Sequence, residues 1–173
     1  TEAILGEPIG DRMLLDKNPG MMILMPAVNW TFPEMKLLIA LRDPRDVVLS
    51  CFMQKVPLTP ISSNWLTLAD AAEYYSRVMQ TWLKVRQLTP APWLEFRYED
   101  VVADLESNAR KILEFLSLPW DERVLKFYEH AREKLVRSPT YEDVTKPVYQ
   151  KSIGRWQNYA RHLQPAMEKL APF

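Results

Sequence analysis

The chain has 173 residues, 47% of them hydrophobic and 25% charged, which is ordinary for one globular domain with a substantial core. Lysine plus arginine and aspartate plus glutamate number 22 each, so no overall field attracts nucleic acid, and no apolar run is long enough for a membrane span or a secretory signal. A single cysteine, Cys51, excludes an intrachain disulfide framework, and two histidines outside any ligand-spaced pattern predict no metal site.

The first third of the chain predicts a helix followed by a strand. Residues 1–18 form a short lead-in of mixed composition. The Met-rich stretch 20–30 predicts a helix that Pro26 interrupts. Five consecutive apolar residues at 37–41, which follow a turn at 32–34, predict a buried strand.

The residues that directly follow this strand predict the N-terminus of a helix. Asp43 suits the N-cap, Pro44 suits the first helical position, and Asp46 complements the positive end of the helix dipole. We expect this helix over 44–55. Arg42 therefore lies at the carboxyl end of a strand, where open α/β sheets place their ligands.

Arg42 and Ser50 form a candidate anion clamp. Ser50 lies about two turns into the helix, on the face that also carries Asp46. A guanidinium fork and a neutral hydroxyl are suitable donors for the oxygens of one phosphate group. The alternative is a purely structural helix start, in which the arginines pair with neighbouring carboxylates. The local pattern alone leaves both interpretations open.

The remaining elements predict an α/β fold. Prolines and polar residues at 57–64 predict an irregular loop, while apolar residues recur at helical spacing from 67 to 88. Because strands alternate with helices, we expect a parallel sheet flanked by helices in a helix-rich chain. The other predicted elements are a strand at 93–98 and helices at 105–117, 121–135 and 152–163, the last stopped by Pro165.

Several motifs occur in an order that resembles one family. Each motif is weak alone, since short words of this kind occur in many folds, but their order is specific. Over about residues 12–166 they resemble the middle of bacterial sulfotransferases and tyrosylprotein sulfotransferases. The motifs are Asp16-Lys17-Asn18-Pro19, Phe32-Pro33, Arg42-Asp43-Pro44-Arg45-Asp46 with Ser50, Phe96-Arg97-Tyr98-Glu99-Asp100-Val101-Val102, 113–120 and 146–156.

The resemblance implies a P-loop-NTPase-like fold and transfer of a sulfuryl group from 3′-phosphoadenosine 5′-phosphosulfate (PAPS), which leaves the product PAP. In that family the residues that match Arg42 and Ser50 bind the 3′-phosphate. The tyrosine that matches Tyr98 lies near the adenine, and a lysine at the place of Lys17 is catalytic. The structural alternatives are a core-edge tyrosine for Tyr98 and a surface lysine before a turn for Lys17.

Two further residues are implied by the resemblance in the C-terminal part. The family has a nucleotide-contacting lysine before the tryptophan of the last motif, and here that residue is Arg155, which keeps the charge and changes its geometry. A hydroxyl residue that contributes to the active centre matches Thr140. The segment between Glu133 and Arg161 is also locally basic, which suits a nucleotide with several negative charges.

The chain also departs from the family pattern. Sulfotransferases carry an N-terminal loop whose backbone N–H groups hold the 5′-phosphosulfate, and the catalytic base of many members follows soon after it. None of the four glycines belongs to a phosphate loop, and no base is identified. We therefore expect residues 1–173 to be the C-terminal portion of a single sulfotransferase domain, truncated at the N-terminus, that binds PAP or PAPS weakly.

The resemblance implies that the partner of this site is an acceptor substrate with a hydroxyl or amine group, and protein tyrosine, carbohydrate and small hydroxyl compounds are the expected classes. The expected compartment is the cytoplasm for a bacterial protein and the Golgi lumen for a eukaryotic one, and the oligomeric state is undetermined. One alternative is a kinase-like phosphotransferase, which needs a Gly-rich loop and a magnesium-binding acid. Another is an inactive nucleotide-binding or α/β interaction fragment, which exposed apolar area around Met21–Met25 would favour.

Overall fold

The computed structural model of the chain describes residues 6–8, 10–133 and 145–173. Short 3₁₀ turns accompany the helices at Pro19–Leu24, Ser62–Trp65, Glu122–Lys126 and Arg155–Tyr159. Within the described residues the helices and strands are α1 (Met25–Thr31), β1 (Leu37–Leu41), α2 (Pro44–Met53), α3 (Leu68–Leu88), β2 (Trp93–Arg97), α4 (Tyr98–Ala103), α5 (Leu105–Leu116), α6 (Phe127–Glu133) and α7 (Ala160–Leu170).

The two strands form a parallel sheet, which confirms the expected fold class. Leu37 lies opposite Trp93, and Leu41 lies opposite Arg97, so the carboxyl ends of both strands meet at one edge. Helices α2 and α3 make the crossover between the strands, as parallel pairing requires. Trp82 of α3 fixes this helix to the sheet, since its indole N–H donates to a Glu95 carboxylate oxygen at 2.6 Å.

Two hydrophobic clusters share helix α3, which therefore connects the sheet with the C-terminal helix. The first cluster packs around the sheet, and the second packs α7 against α2 and α3. Burial of these apolar side chains is the main stabilisation of the packed helices. The first cluster contains Met25, Leu37, Ile39, Trp82, Val85 and Ala91, and the second contains Val48, Ala71, Ala72, Leu163, Ala166 and Leu170.

The Met-rich stretch differs from the expectation that Pro26 interrupts its helix. Pro26 lies at the second position of α1, where its missing N–H has no helical partner to lose. The preceding residues instead form the 3₁₀ turn Pro19–Leu24, which packs on α3. Met25 is buried in the first cluster, whereas Ile23 and Leu24 are exposed.

The prediction that Pro165 ends the last helix is wrong. Residues 155–159 form a 3₁₀ turn, and α7 continues from Ala160 to Leu170 with Pro165 inside it. Proline removes one backbone hydrogen bond there. The spacing of Leu163, Ala166 and Leu170 lets α7 bury all three side chains in the second cluster, and this packing outweighs the local cost.

Two smaller corrections concern the loop 57–64 and Tyr98. The loop was expected to be irregular throughout, but it ends in a 3₁₀ turn whose Ser62 is buried and donates its hydroxyl to the Pro57 carbonyl at 2.8 Å. Tyr98 was expected to end the second strand, and it is instead the first residue of α4. The Ser62 hydroxyl stabilises the turn through Pro57 and Thr59, and Tyr98 packs against Arg42 from the adjacent strand end.

Candidate functional site

The carboxyl edge of the sheet carries the junction between β1 and α2. The side chain of Asp43 accepts a hydrogen bond from the Arg45 backbone N–H at 2.9 Å, so Asp43 is the N-cap and Pro44 is the first helical residue, as predicted. The Asp43 backbone N–H donates to a Glu99 carboxylate oxygen at 2.7 Å. Glu99 thus ties the start of α4 to this junction.

The charge of Asp43 is stabilised where it lies. Burial opposes ionisation of this carboxyl, but the hydrogen bonds and positive charge of Arg45 outweigh burial and hold the pKa of Asp43 below its usual value. Two guanidinium nitrogens of Arg45 contact Asp43, at 2.9 and 2.5 Å. The other face of this guanidinium lies 3.8 Å from the centre of the Trp156 ring, a cation–π geometry.

Arg42 lies at the same edge, directly after β1. Its guanidinium carbon is 4.8 Å from the centre of the Tyr98 ring, and one terminal nitrogen donates to the backbone carbonyl of Ser152. The same nitrogen is 3.8 Å from a carboxylate oxygen of Asp46. The Nε atom of Arg42 is buried, and among the described residues it has no hydrogen-bond partner. The structure therefore brings Arg42 and Tyr98 into direct contact.

Asp46 connects this junction with the C-terminal segment. Its side chain is fully buried and accepts the backbone N–H groups of Gly154 and Trp156, each at 2.8 Å. Gly154 has a positive φ of 68°, which favours glycine, and it precedes the 3₁₀ turn Arg155–Tyr159. Sequence reasoning gave Asp46 only a role at the helix dipole, because no local pattern indicates a partner 108 residues away.

Ser50 and Cys51 lie in the second turn of α2, and both are half-buried. Burial raises the pKa of the Cys51 thiol, and the positive charge of Arg42 opposes this rise. The side chain of Arg155 is exposed and lies against the last residue of α2, with a terminal nitrogen 3.5 Å from the Met53 sulfur.

Two predicted site residues remain, Lys17 and Thr140. Lys17 is exposed in the irregular segment before the turn that Asn18 caps, and within the described residues no hydrogen bond or ion pair links it to Arg42, Ser50, Tyr98 or Arg155. The prediction for Thr140 lies outside the described residues.

Two cavities flank the junction without including Arg42 or Tyr98. One, of about 360 Å³, opens between β2 and α5 and is lined by Arg97 and Lys111 among others. The second, of about 150 Å³, lies beside Cys51 and Trp65. In the part of the chain that the structure describes, no helix is long and apolar enough to cross a membrane, and no group of three or more acidic, histidine or cysteine side chains is arranged to hold a metal ion.

The arrangement suits an anion better than a metal. A cationic fork follows the strand, a hydroxyl residue lies in the next helix, and a second cation lies at that helix's far end. Planar guanidinium groups match the oxygens of phosphate or sulfate, and the N-terminal end of α2 adds a partial positive charge. Both carboxylate oxygens of Asp43 and of Asp46, and one of Glu99, are already engaged by backbone N–H groups or by Arg45.

Comparison with known proteins shows that the chain is similar to sulfotransferases. A family model described as the sulfotransferase family matches residues 1–122. An uncharacterized protein of Aquifex aeolicus (strain VF5) is 27% identical over 161 residues, which are 91% of this chain and 20% of that protein. Protein-tyrosine sulfotransferase A of Caenorhabditis elegans is 28% identical over 153 residues, 85% of this chain and 40% of that protein.

A third relative extends the same pattern. The protein-tyrosine sulfotransferase of Drosophila melanogaster is 29% identical over 159 residues, which are 87% of this chain and 31% of that protein. The chain therefore spans less than half the length of each of these three relatives. The family match includes the junction of Arg42, Ser50 and Tyr98, and ends before Arg155.

Proposed function

Because this chain belongs to the sulfotransferase family, we propose that it forms the 3′-phosphate-binding part of an enzyme that transfers a sulfuryl group from PAPS to an acceptor hydroxyl or amine. The observation that carries this proposal is the position of Arg42, a cation at the carboxyl end of β1 that stacks on Tyr98. In this proposal residues 1–173 act as one portion of a single sulfotransferase domain.

The donor set around Arg42 suits a 3′-phosphate. Arg42 supplies a planar fork, of which one nitrogen contacts Ser152 and another, Nε, lacks a hydrogen-bond partner among the described residues. Ser50 supplies a neutral hydroxyl donor from the second turn of α2. A phosphate that accepted hydrogen bonds from Arg42 would satisfy a donor that has no partner among the residues described, which supports the assignment.

Tyr98 and Arg155 complete the proposed nucleotide site. Tyr98 has one face against Arg42, so its ring fixes the guanidinium and offers an aromatic surface at the place proposed for the adenine. Arg155 lies at the end of α2 and adds positive charge on the side of Met53. Together these residues select a nucleotide with a negative charge at the 3′ position.

In the proposed reaction PAPS supplies the sulfuryl group, and PAP is the leaving group. Negative charge builds up on the leaving oxygen, so catalysis depends on positioning and on cationic stabilisation. Lys17 is proposed as the compact cation for that charge, and Thr140 as a hydroxyl residue of the active centre. Lys17 lies in an exposed segment, so the proposal requires this segment to meet the nucleotide when it binds.

For the acceptor we favour tyrosine in proteins. Two of the relatives described above are named protein-tyrosine sulfotransferases, and their matched segments include most of this chain. A phenol hydroxyl is also chemically suited, since it ionises more readily than a sugar hydroxyl. Carbohydrate and small hydroxyl compounds remain the alternatives that an acceptor panel distinguishes.

A second candidate is a non-catalytic packing role, which exposed apolar side chains favour. Trp30 is 89% exposed and Phe32 is 61% exposed at the end of α1, while Ile23 and Leu24 are exposed before it. Exposed apolar groups of this kind often mark a surface that another protein segment covers. This role is compatible with the nucleotide site, which lies at the other end of β1.

The experiment that tests the proposed function is sulfate transfer from labelled PAPS by the full-length gene product to a tyrosine peptide, an oligosaccharide and a small phenol. We expect transfer to the peptide, and we expect the Arg42→Ala variant to need a higher PAPS concentration for half-maximal rate. Transfer to none of these acceptors would contradict the proposed transfer of a sulfuryl group.

A further inference from the structure

We infer that Asp46 is a positioning residue of the nucleotide site, because it fixes the segment 152–156 against the start of α2. This inference rests on the proposed function. The side chain of Asp46 is fully buried. One of its carboxylate oxygens accepts a hydrogen bond from the Gly154 backbone N–H, and the other accepts one from the Trp156 backbone N–H. The same carboxylate lies 3.8 Å from Arg42.

The chemistry of the contact requires a carboxylate. The N–H groups of Gly154 and Trp156 lie at the beginning of the 3₁₀ turn Arg155–Tyr159, where backbone donors have no partner within the turn. An ionised carboxylate is acceptor-only and satisfies both donors at once. The amide of asparagine offers one acceptor oxygen, and its NH₂ group faces the second backbone N–H, donor against donor.

The hydrogen bonds between Asp46 and the segment 152–156 help to position two proposed ligands of the nucleotide, Arg42 and Arg155. The segment held by Asp46 includes Ser152, whose carbonyl accepts a hydrogen bond from Arg42, so the segment helps to orient that guanidinium. It also includes Arg155, whose guanidinium reaches Met53 at the end of the helix that carries Ser50. Loss of the contact frees Arg155 and removes one constraint on Arg42.

The test is calorimetric titration of PAP into the wild-type chain and the Asp46→Asn variant, at a temperature at which circular dichroism shows both folded. We expect about a tenfold rise in Kd at unchanged stoichiometry, in the range of one charge-assisted contact. Because both proteins are folded at this temperature, a role in stability alone leaves both the Kd and the stoichiometry unchanged. Val85→Ala, in the first cluster, is the destabilised control and is expected to keep the wild-type Kd.

A double-variant cycle tests whether Asp46 changes the affinity for PAP through Arg155. If Asp46 acts through Arg155, the rise in Kd for Asp46→Asn combined with Arg155→Ala is smaller than the product of the two single effects. Should Asp46→Asn fail to fold, Gly154→Ala disturbs the same segment through its positive φ and is expected to raise Kd severalfold.

The results of these titrations distinguish a failure of the role of Asp46 from a failure of the proposed function. Wild-type PAP binding with an unchanged Kd in Asp46→Asn and Gly154→Ala overturns the role of Asp46 and leaves the nucleotide site intact. Effects that multiply fully in the double variant exclude the route through Arg155 and support the route through Arg42. A wild-type chain that binds no PAP overturns both.

Discussion

The guanidinium carbon of Arg42 lies 4.8 Å from the centre of the Tyr98 ring, although 56 residues separate them in the sequence. The contact follows from parallel pairing, which places Leu41 opposite Arg97 and so brings the two residues that follow the strands side by side. An aromatic ring beside a cation at this edge is suited to a nucleotide, which has both a negative charge and a planar base.

Asp43 gives a prediction about stability and pH. Asp43→Ala should lower the free energy of unfolding by about 1 kcal/mol at pH 7, the usual cost of removing an N-cap. Because the pKa of Asp43 is lower in the folded protein than its usual value, its charge stabilises the fold above that usual value, and the stabilisation is lost as pH falls through the lowered pKa.

Urea unfolding of wild type and Asp43→Ala at pH 7 and pH 3 measures this effect. The difference between the two proteins should shrink at pH 3. Asp43→Asn is the matched control, since it keeps a cap acceptor and loses only the charge. A difference that grows on acidification would contradict the assigned ion pair with Arg45.

Ser50 gives a prediction in which the affinity for PAP falls while the stability of the fold does not. Ser50→Ala should weaken PAP binding by about 0.5–1.5 kcal/mol, the range of one neutral hydrogen bond. The melting temperature should stay the same or rise slightly, because alanine is the better helix former. Ser76→Ala, in α3, is the control with the same chemical change away from the junction. Equal PAP affinity of Ser50→Ala and Ser76→Ala would exclude the Ser50 hydroxyl as a ligand.

Lys17 gives a prediction about rate. In the full-length gene product Lys17→Ala should lower the rate of sulfate transfer by a factor of about 100 or more, as expected for loss of a charge that stabilises the transition state. The Kd for PAP should change little, since that charge is needed mainly while the bond breaks. Rapid-quench assays measure the rate and calorimetric titration measures the Kd for PAP, each with Lys84→Ala as the surface-lysine control. A Lys17→Ala enzyme with the wild-type rate would remove Lys17 from the mechanism.

Much of the fold was predictable because contiguous residues determine it. The apolar run of β1, the N-cap Asp43 with Pro44, and the helical spacing of α3 are local signals, and the structure confirms all three. The end of the last helix was not predictable locally. The chain continues through Pro165 because Leu163 and Leu170 pack on helices that lie far away in the sequence.

The candidate site also has a part that local sequence predicts and a part that it does not. Arg42 and Ser50 were identified from a continuous motif, and the position of Arg42 at the strand end follows from local structure. The contacts of Asp46 and Glu99 depend on segments that only the folded chain brings together. A buried carboxylate in the first turn of a helix has no sequence signature that distinguishes it from one that serves the helix dipole.

We propose above all that Arg42 recognises the 3′-phosphate of the nucleotide. Its most direct test is calorimetric titration of the chain with PAP and with AMP, which lacks only that phosphate, for wild type, Arg42→Ala and the remote control Arg77→Ala. We predict that wild type and Arg77→Ala prefer PAP to AMP. Arg42→Ala should lose about 1.5–3 kcal/mol of PAP affinity and none of its AMP affinity. An unchanged PAP affinity in Arg42→Ala, or an equal loss for both nucleotides, would contradict the claim.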